Sequence, residues 1–105
     1  MIPKNLKTFI NQVQLETEKG TLAWSQADSL AFFCDHKNHT LHITPFYDDD
    51  RGYSTYYFRI VTNGKSSQFS VRDDEEDDFS TMRHLYEAVI ISANNVVNDI
   101  SNFFD

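Results

Sequence analysis

The side chains of this sequence with the widest chemical range are four histidines, one cysteine and sixteen acids. His36, His39 and His42 are spaced three apart beside Asp35, with His84 far along the chain, and that spacing invites a zinc reading. A zinc site needs three or four ligands converging on one point. His36 falls in a polar turn, whereas His39 and His42 share a β-like run, where residues three apart point to opposite faces. At most two of the three converge, so they read as turn and solvent-face histidines. Cys34 in "FFCD" lies in an apolar run with no second cysteine and no basic neighbour to stabilise a thiolate, which makes it a buried structural thiol. "DDDRGY", residues 48 to 53, resembles a calcium loop only superficially. With Gly52 at the turn, Tyr47 and Arg51 occupy ligand places and no Glu closes the loop. There is no P-loop, no G-x-S-x-G, no G-x-G-x-x-G and no H-E-x-x-H, so no cofactor and no catalytic residue is assigned.

"RDDEEDDF", residues 72 to 79, sets six consecutive carboxylates between a β-like run and a helical one. Contiguous acids lack the turn-forming glycine that wraps a chain around a cation. Like charges repel and resist regular structure, so the run reads as a solvated connection whose last acids complement a helix dipole. Docking of a basic partner is the next reading. Asp48, Asp49 and Asp50, with Asp73, Asp74, Glu75 and Glu76, are the candidate partner-binding residues, forming an acidic rim that would steer such a partner. A second candidate set is His42, Tyr57, Arg59 and Arg72, on one polar sheet face, where two guanidinium groups would hold a small anionic ligand or support an enzymatic site.

The elements that must position these groups follow from the pattern of apolar residues. Residues 1–105 have the length of a single domain, and 40% of them are hydrophobic, nine being Phe, which is enough apolar surface for one core. Leu6, Phe9, Ile10 and Val13 recur at helical spacing between Pro3 and Gly20, giving an amphipathic helix over 5–19. "TLAW" reads as a short extended entry. "SLAFFCD" and "HTLHITPF" read as a hairpin across "HKN". "STYYFRIVT" and "KSSQFSVR" flank Asn63-Gly64, the strongest two-residue hairpin signal because both central residues of a type I′ turn take positive φ. Closing that turn on Thr62 and Lys65 pairs Phe58 with Phe69, Tyr56 with Val71 and Ile60 with Ser67, which gathers the large apolar side chains on one face. From Phe79 to Phe104 a broad stripe runs through Met82, Leu85, Tyr86, Val89, Ile90, Ala93, Val96, Val97, Ile100 and Phe104, predicting a long final helix. The expected fold is α+β, in the order α-β-β-β-β-α: a four-stranded antiparallel meander with both helices on its one apolar face, in two layers.

"ETEKGTLAW" and "LYEAVIISANNVVNDI" resemble segments of small uncharacterised bacterial and phage-associated proteins that carry Thr-x-x-Gly-x-Leu-x-Trp and Leu-Tyr-Glu around a four-strand meander. The resemblance implies the same α-β4-α layout and a bacterial setting, and it implies no activity.

The net charge of −7 repels phosphate, which disfavours nucleic acid and anionic membrane surfaces as partners. A lone cysteine, no signal-peptide pattern in "MIPKNLKTFINQVQ" and no apolar stretch of about 18 residues point to a cytoplasmic protein. The reading that follows is a small, acidic, non-catalytic protein-binding module, as adaptors, inhibitors and immunity-type proteins are. Its expected partner is another protein, basic if the acidic runs make the contact. Leu15 and Ile91 fall on the polar sides of their helices, so a monomer or a weak homodimer is expected.

Overall fold

The computed structural model describes residues 1–94 and residue 103. A 3-10 turn, Lys4–Leu6, leads into α1, Lys7–Lys19, which is followed by strands β1, Ser25–Gln26, β2, Phe32–His36, β3, His39–Asp48, β4, Tyr53–Thr62, and β5, Lys65–Arg72, and then by α2, Glu76–Asn94. The strands form one antiparallel sheet in the order β1-β2-β3-β4-β5, a meander of five strands where four were expected. The addition is β1, whose Ser25 and Gln26 lie opposite Phe33 and Phe32. Two residues are too few to display an alternating pattern, which is why the sequence shows this segment only as an extended entry.

The exit from α1 explains the Thr-x-x-Gly-x-Leu-x-Trp segment. Gly20 takes φ 85°, a left-handed cap that a β-carbon would strain, and the carbonyls of Glu16 and Thr17 accept the amides of Thr21 and Gly20. The chain then turns Leu22 and Trp24 into the core. Trp24 Nε1 donates to Thr17 Oγ1 at 2.9 Å, and that hydroxyl donates to the Val13 carbonyl at 2.7 Å, so both buried polar groups are satisfied.

The β4–β5 hairpin has the expected register: Phe58 opposite Phe69, Tyr56 opposite Val71, Ile60 opposite Ser67, around Asn63 at φ 50° and Gly64 at φ 79°. Phe58 is fully buried and its ring stacks on the partly buried Phe69 at 5.5 Å. With Phe32, Cys34, Leu41, Ile43 and Val71 it forms the sheet's half of the core, and Ile10, Val13, Met82, Leu85 and Val89 supply the helical half. In α2, Tyr86, Ile90 and Ala93 pack against this core, and the helix begins three residues before Phe79 because Glu76, Asp77 and Asp78 in its first turn favour the positive end of its dipole. Val96, Val97, Ile100 and Phe104 lie outside the described residues. Leu15 and Ile91 are both exposed, Ile91 on the crevice between the helices. No helix among the described residues is long and apolar enough to cross a membrane.

The two helices lie side by side on one sheet face, and α2 crosses that face from Phe79 on Tyr56 of β4 to Tyr86 on Phe32 of β2. Its N-terminal end is thereby set over the end of the sheet where β3 turns into β4 and β5 finishes. Both acidic runs belong to that end.

Candidate functional site

The acidic run 73–78 is woven into the fold. Asp73 and Ser54 exchange two hydrogen bonds, amide to carbonyl at 2.9 Å and Ser54 amide to Asp73 carboxylate at 3.0 Å, extending the β4–β5 pairing by one step. Asp74 takes the Arg72 guanidinium in a two-pronged contact, with Nε at 3.0 Å and Nη2 at 2.6 Å, and the same guanidinium lies 4.2 Å from the centre of the Tyr53 ring. Glu75 accepts the Arg72 amide at 2.7 Å and meets the amino group of Met1 at 2.6 Å. Asp78 accepts the amide of Ile2 at 2.9 Å, with Lys7 Nζ 3.9 Å away. The run is therefore only in part the solvated connection expected from its charge: Glu76 and Asp77 are exposed and bonded by no described residue, whereas Asp73, Asp74, Glu75 and Asp78 are tied into the fold. Three of its carboxylates, those of Asp73, Glu75 and Asp78, answer backbone amides that would otherwise be unpaired at a strand end and near Met1.

These contacts hold two of the carboxyls below the usual carboxylate range. For Asp74 the first cause is the hydrogen bond from Arg72, and for Glu75 it is the Arg72 amide, followed by the Met1 amino group.

The run 48–50 is different. Asp48 Oδ1 accepts the amides of Asp50 at 3.0 Å and Arg51 at 3.2 Å, and its carbonyl accepts the Gly52 amide at 2.7 Å, so this turn closes on itself. Asp48 pairs with Tyr53 and Asp73 bonds to Ser54, which brings the two runs to one end of the sheet. Among the described residues nothing bonds the carboxylates of Asp49, Asp50, Glu76 or Asp77, and all four are exposed.

Beside this acidic end lie large apolar side chains that the core does not cover: Leu30 is 56% exposed, Phe46 53%, Tyr47 58% and Tyr57 48%. Phe46 and Tyr57 meet edge to face at 6.3 Å on the outer face of the sheet. Leu30, Tyr47 and Phe79 border a hollow of about 200 Å³ on the helix side. Scattered exposed apolar residues are ordinary, but here an aromatic pair on one face and Leu30 with Tyr47 on the other share the end of the sheet that carries the acids, and apolar side chains near charge are a feature of interfaces.

The second candidate set is only partly assembled. His42 and Arg59 are register partners, with Tyr57 two residues from Arg59 on the same outer face, and they border an open hollow of about 520 Å³ together with Gln68 and Ser70. Burial and then the Arg59 charge push the His42 imidazole below its ordinary range. Arg72 is four positions along the neighbouring strand from Gln68, the partner of Arg59, about 13 Å away, and is already committed to Asp74 and Tyr53. The two guanidinium groups do not converge.

No family model, curated protein or solved structure matches this chain. The functional reading therefore rests on geometry alone.

Sequence reasoning missed two groups of residues. The first is the aromatic cluster beside the acids, whose signal was available: Phe46 and Tyr47 are consecutive, so one of them must leave the core whichever face is buried. The second is the histidine pair His36 and His39. Both stand at the close of β2–β3 as register partners, where a turn and a solvent face were expected, and they border a cleft against α1. His39 shares its strand parity with the inward-facing Leu41 and Ile43, which was the readable sign. Among the described residues no three His, Cys, Asp or Glu side chains gather to hold a metal ion.

Proposed function

We propose that this chain is a non-catalytic protein-binding module, of the adaptor, inhibitor or immunity type, that docks a basic protein on the acidic end of its sheet. The observation that carries the reading is the exposure of Phe46 and Tyr57 on the outer face, and of Leu30 and Tyr47 on the helix side, at the same end of the sheet as the carboxylates of Asp49, Asp50, Glu76 and Asp77, which no described residue bonds. Aromatic side chains at the centre of an interface supply most of its binding energy, while charges at its rim select and steer the partner. Asp73, Asp74 and Glu75 are spent on internal contacts, so the rim narrows to the four acids that no described residue bonds. A cytoplasmic setting fits the buried lone thiol of Cys34, and a monomer or weak homodimer fits the isolated exposure of Leu15 and Ile91.

The test is capture from a source lysate on immobilised wild type, on a Phe46→Ser/Tyr47→Ser variant and on an Asp49→Asn/Asp50→Asn variant. The expected partner is a basic protein, released by salt and lost from the Phe46/Tyr47 variant. Equal capture by all three proteins overturns the reading.

A second reading, a small anionic ligand on the outer face, is favoured by one observation: Arg59 makes no ion pair with a described residue and borders an open hollow with His42, Tyr57, Gln68 and Ser70. Inorganic phosphate and acetate titrated against wild type and Arg59→Gln test it. Shifts confined to His42 and Tyr57, absent in the variant, support it, and the absence of saturable shifts removes it.

A further inference from the structure

The helix layer stops short of the other end of the sheet. Strands β3 and β4 each run ten residues, about 33 Å, whereas two helices side by side cover only about 20 Å. Beyond α1 two rows of helix-facing side chains lie outside the cover of the described helices, although Leu41 itself stays buried among its neighbours. The inner row contains Leu41 and Ile60, paired across β3 and β4, and it floors a cleft of about 510 Å³ whose walls are Leu6, Phe9, Val13 and Leu22. The outer row consists of successive register partners, His36, His39, Thr62 and Lys65. His39 Nδ1 lies 2.7 Å from Thr62 Oγ1, and Lys65 makes no ion pair with a described residue. Glu16 also borders the cleft, but its carboxylate is already answered by Thr21, Lys19 and Gln12. The cleft's apolar floor ends in His36, His39 and Thr62, and Lys65 stands one strand further on, in an adjoining hollow that shares Leu6, Ile60 and Thr62 with the cleft, so the two together are divided as an amphiphile is divided.

We propose that this cleft binds a free aliphatic carboxylate, its chain on Leu41 and Ile60 and its head on the row His36, His39, Thr62 and Lys65. Ligand sites are typically clefts of about 300–1,000 Å³, mostly apolar with a few placed polar groups, and this one falls inside that range. At roughly 30 Å³ per methylene, the volume of a water, a chain of about eight to twelve carbons fills half to two-thirds of the space. The charge distribution selects an anion. Nine of the sixteen acids lie in the two runs at the opposite end of the sheet, so a carboxylate at Lys65 meets the least of the net −7. The site is independent of the docking surface proposed above, being at the other end of the strands.

Calorimetric titration with decanoate and with decanol, as monomers in solution, tests the assignment in wild type, Phe9→Asp and Lys65→Met. Phe9 is an exposed position of α1, so its change to Asp puts a charge in the cleft while the core is untouched. Wild type is expected to bind one decanoate saturably, and decanol about tenfold more weakly. Phe9→Asp is expected to lose both ligands, and Lys65→Met to lose about tenfold for decanoate with decanol unchanged. In wild type the methyl resonances of Leu41 and Ile60 shift with decanoate, a readout that needs no variant. Shifts elsewhere, or binding unaltered by Phe9→Asp, place the ligand outside the cleft and overturn the proposal. Equal affinity for decanol overturns the anionic head. A dimer in sedimentation that Phe9→Asp disperses gives the cleft to a second copy instead, and binding only to decanoate-containing vesicles overturns the free ligand.

Discussion

Asp73 to Asp78 and Asp48 to Asp50 stand at the same end of the sheet, yet the first run gives four of its six carboxylates to other parts of the chain, whereas the second gives one to its own turn and leaves two exposed and unbonded by any described residue. Asp73, Asp74, Glu75 and Asp78 reach Ser54, Arg72, Met1 and Ile2, closing a strand end, a guanidinium and the start of the chain onto one another. Asp48 folds back on its own turn, and the exposed carboxylates of Asp49 and Asp50 are bonded by no described residue. The difference lies in the backbone nearby. Where a strand ends beside a helix start, amide donors are left over and a carboxylate is drawn in. Where a tight turn satisfies its own amides, the carboxylates stay outside.

A core truncation sets the scale for that comparison. Phe58 is buried against Phe69, Leu41 and Ile43, and Phe58→Ala is expected to destabilise by about 3–5 kcal/mol in urea unfolding. A loss below about 1 kcal/mol contradicts the packing around the hairpin. Next comes Asp78→Ala, which strips the acceptor from the amide of the buried Ile2, at an expected cost of about 1–3 kcal/mol. If Asp78→Ala proves as silent as a change at Asp49, the contrast between the two runs collapses.

Acid titration sharpens the comparison further. The Glu75 and Asp74 carboxyls are held below their ordinary values in the folded chain, so each contributes stability that is present above its unfolded value and lost as pH falls through the folded one. A Glu75→Gln/Asp74→Asn variant is therefore expected to melt below wild type at neutral pH, with the gap narrowing steadily as pH falls below about 4.5, the ordinary value for Glu75. A constant gap from neutral to acid pH shows that Glu75 and Asp74 do not gain their protons at folding's expense.

Much of the architecture was legible because it is carried by local chemistry. Asn63-Gly64 determines the turn, and the turn determines the register that buries Phe58 opposite Phe69. Leu85, Val89 and Met82 declare the buried face of α2 by spacing alone. The duties of 73–78 were illegible because the groups they bind are backbone amides, identical at every residue, and one of them, that of Ile2, lies 76 positions away. The cleft was illegible for another reason. Phe9 belongs to the apolar stripe of α1, and only the mismatch between strand length and helix width leaves it partly open.

The smallest expected effect on stability is the most informative about partner binding. Asp49→Asn/Asp50→Asn removes two exposed charges that nothing among the described residues contacts, so unfolding is expected to shift by no more than about 0.5 kcal/mol. Against the captured basic partner the same variant is expected to associate about tenfold more slowly at low salt, with dissociation nearly unchanged, because rim charges act on the encounter across a Debye length. Raising ionic strength should bring the two association rates together. Glu75→Gln/Asp74→Asn provides the matched control: it removes the same formal charge from the same end of the sheet, but from carboxylates already paired with Arg72 and Met1. If charge alone steers the partner, the two variants slow association equally, and if uncompensated charge steers it, Asp49 and Asp50 dominate. Stopped-flow association rates from low to high salt distinguish the cases, and an equal slowing would mean that the partner reads the total field of the acidic end, without regard to which carboxylates the fold has already engaged.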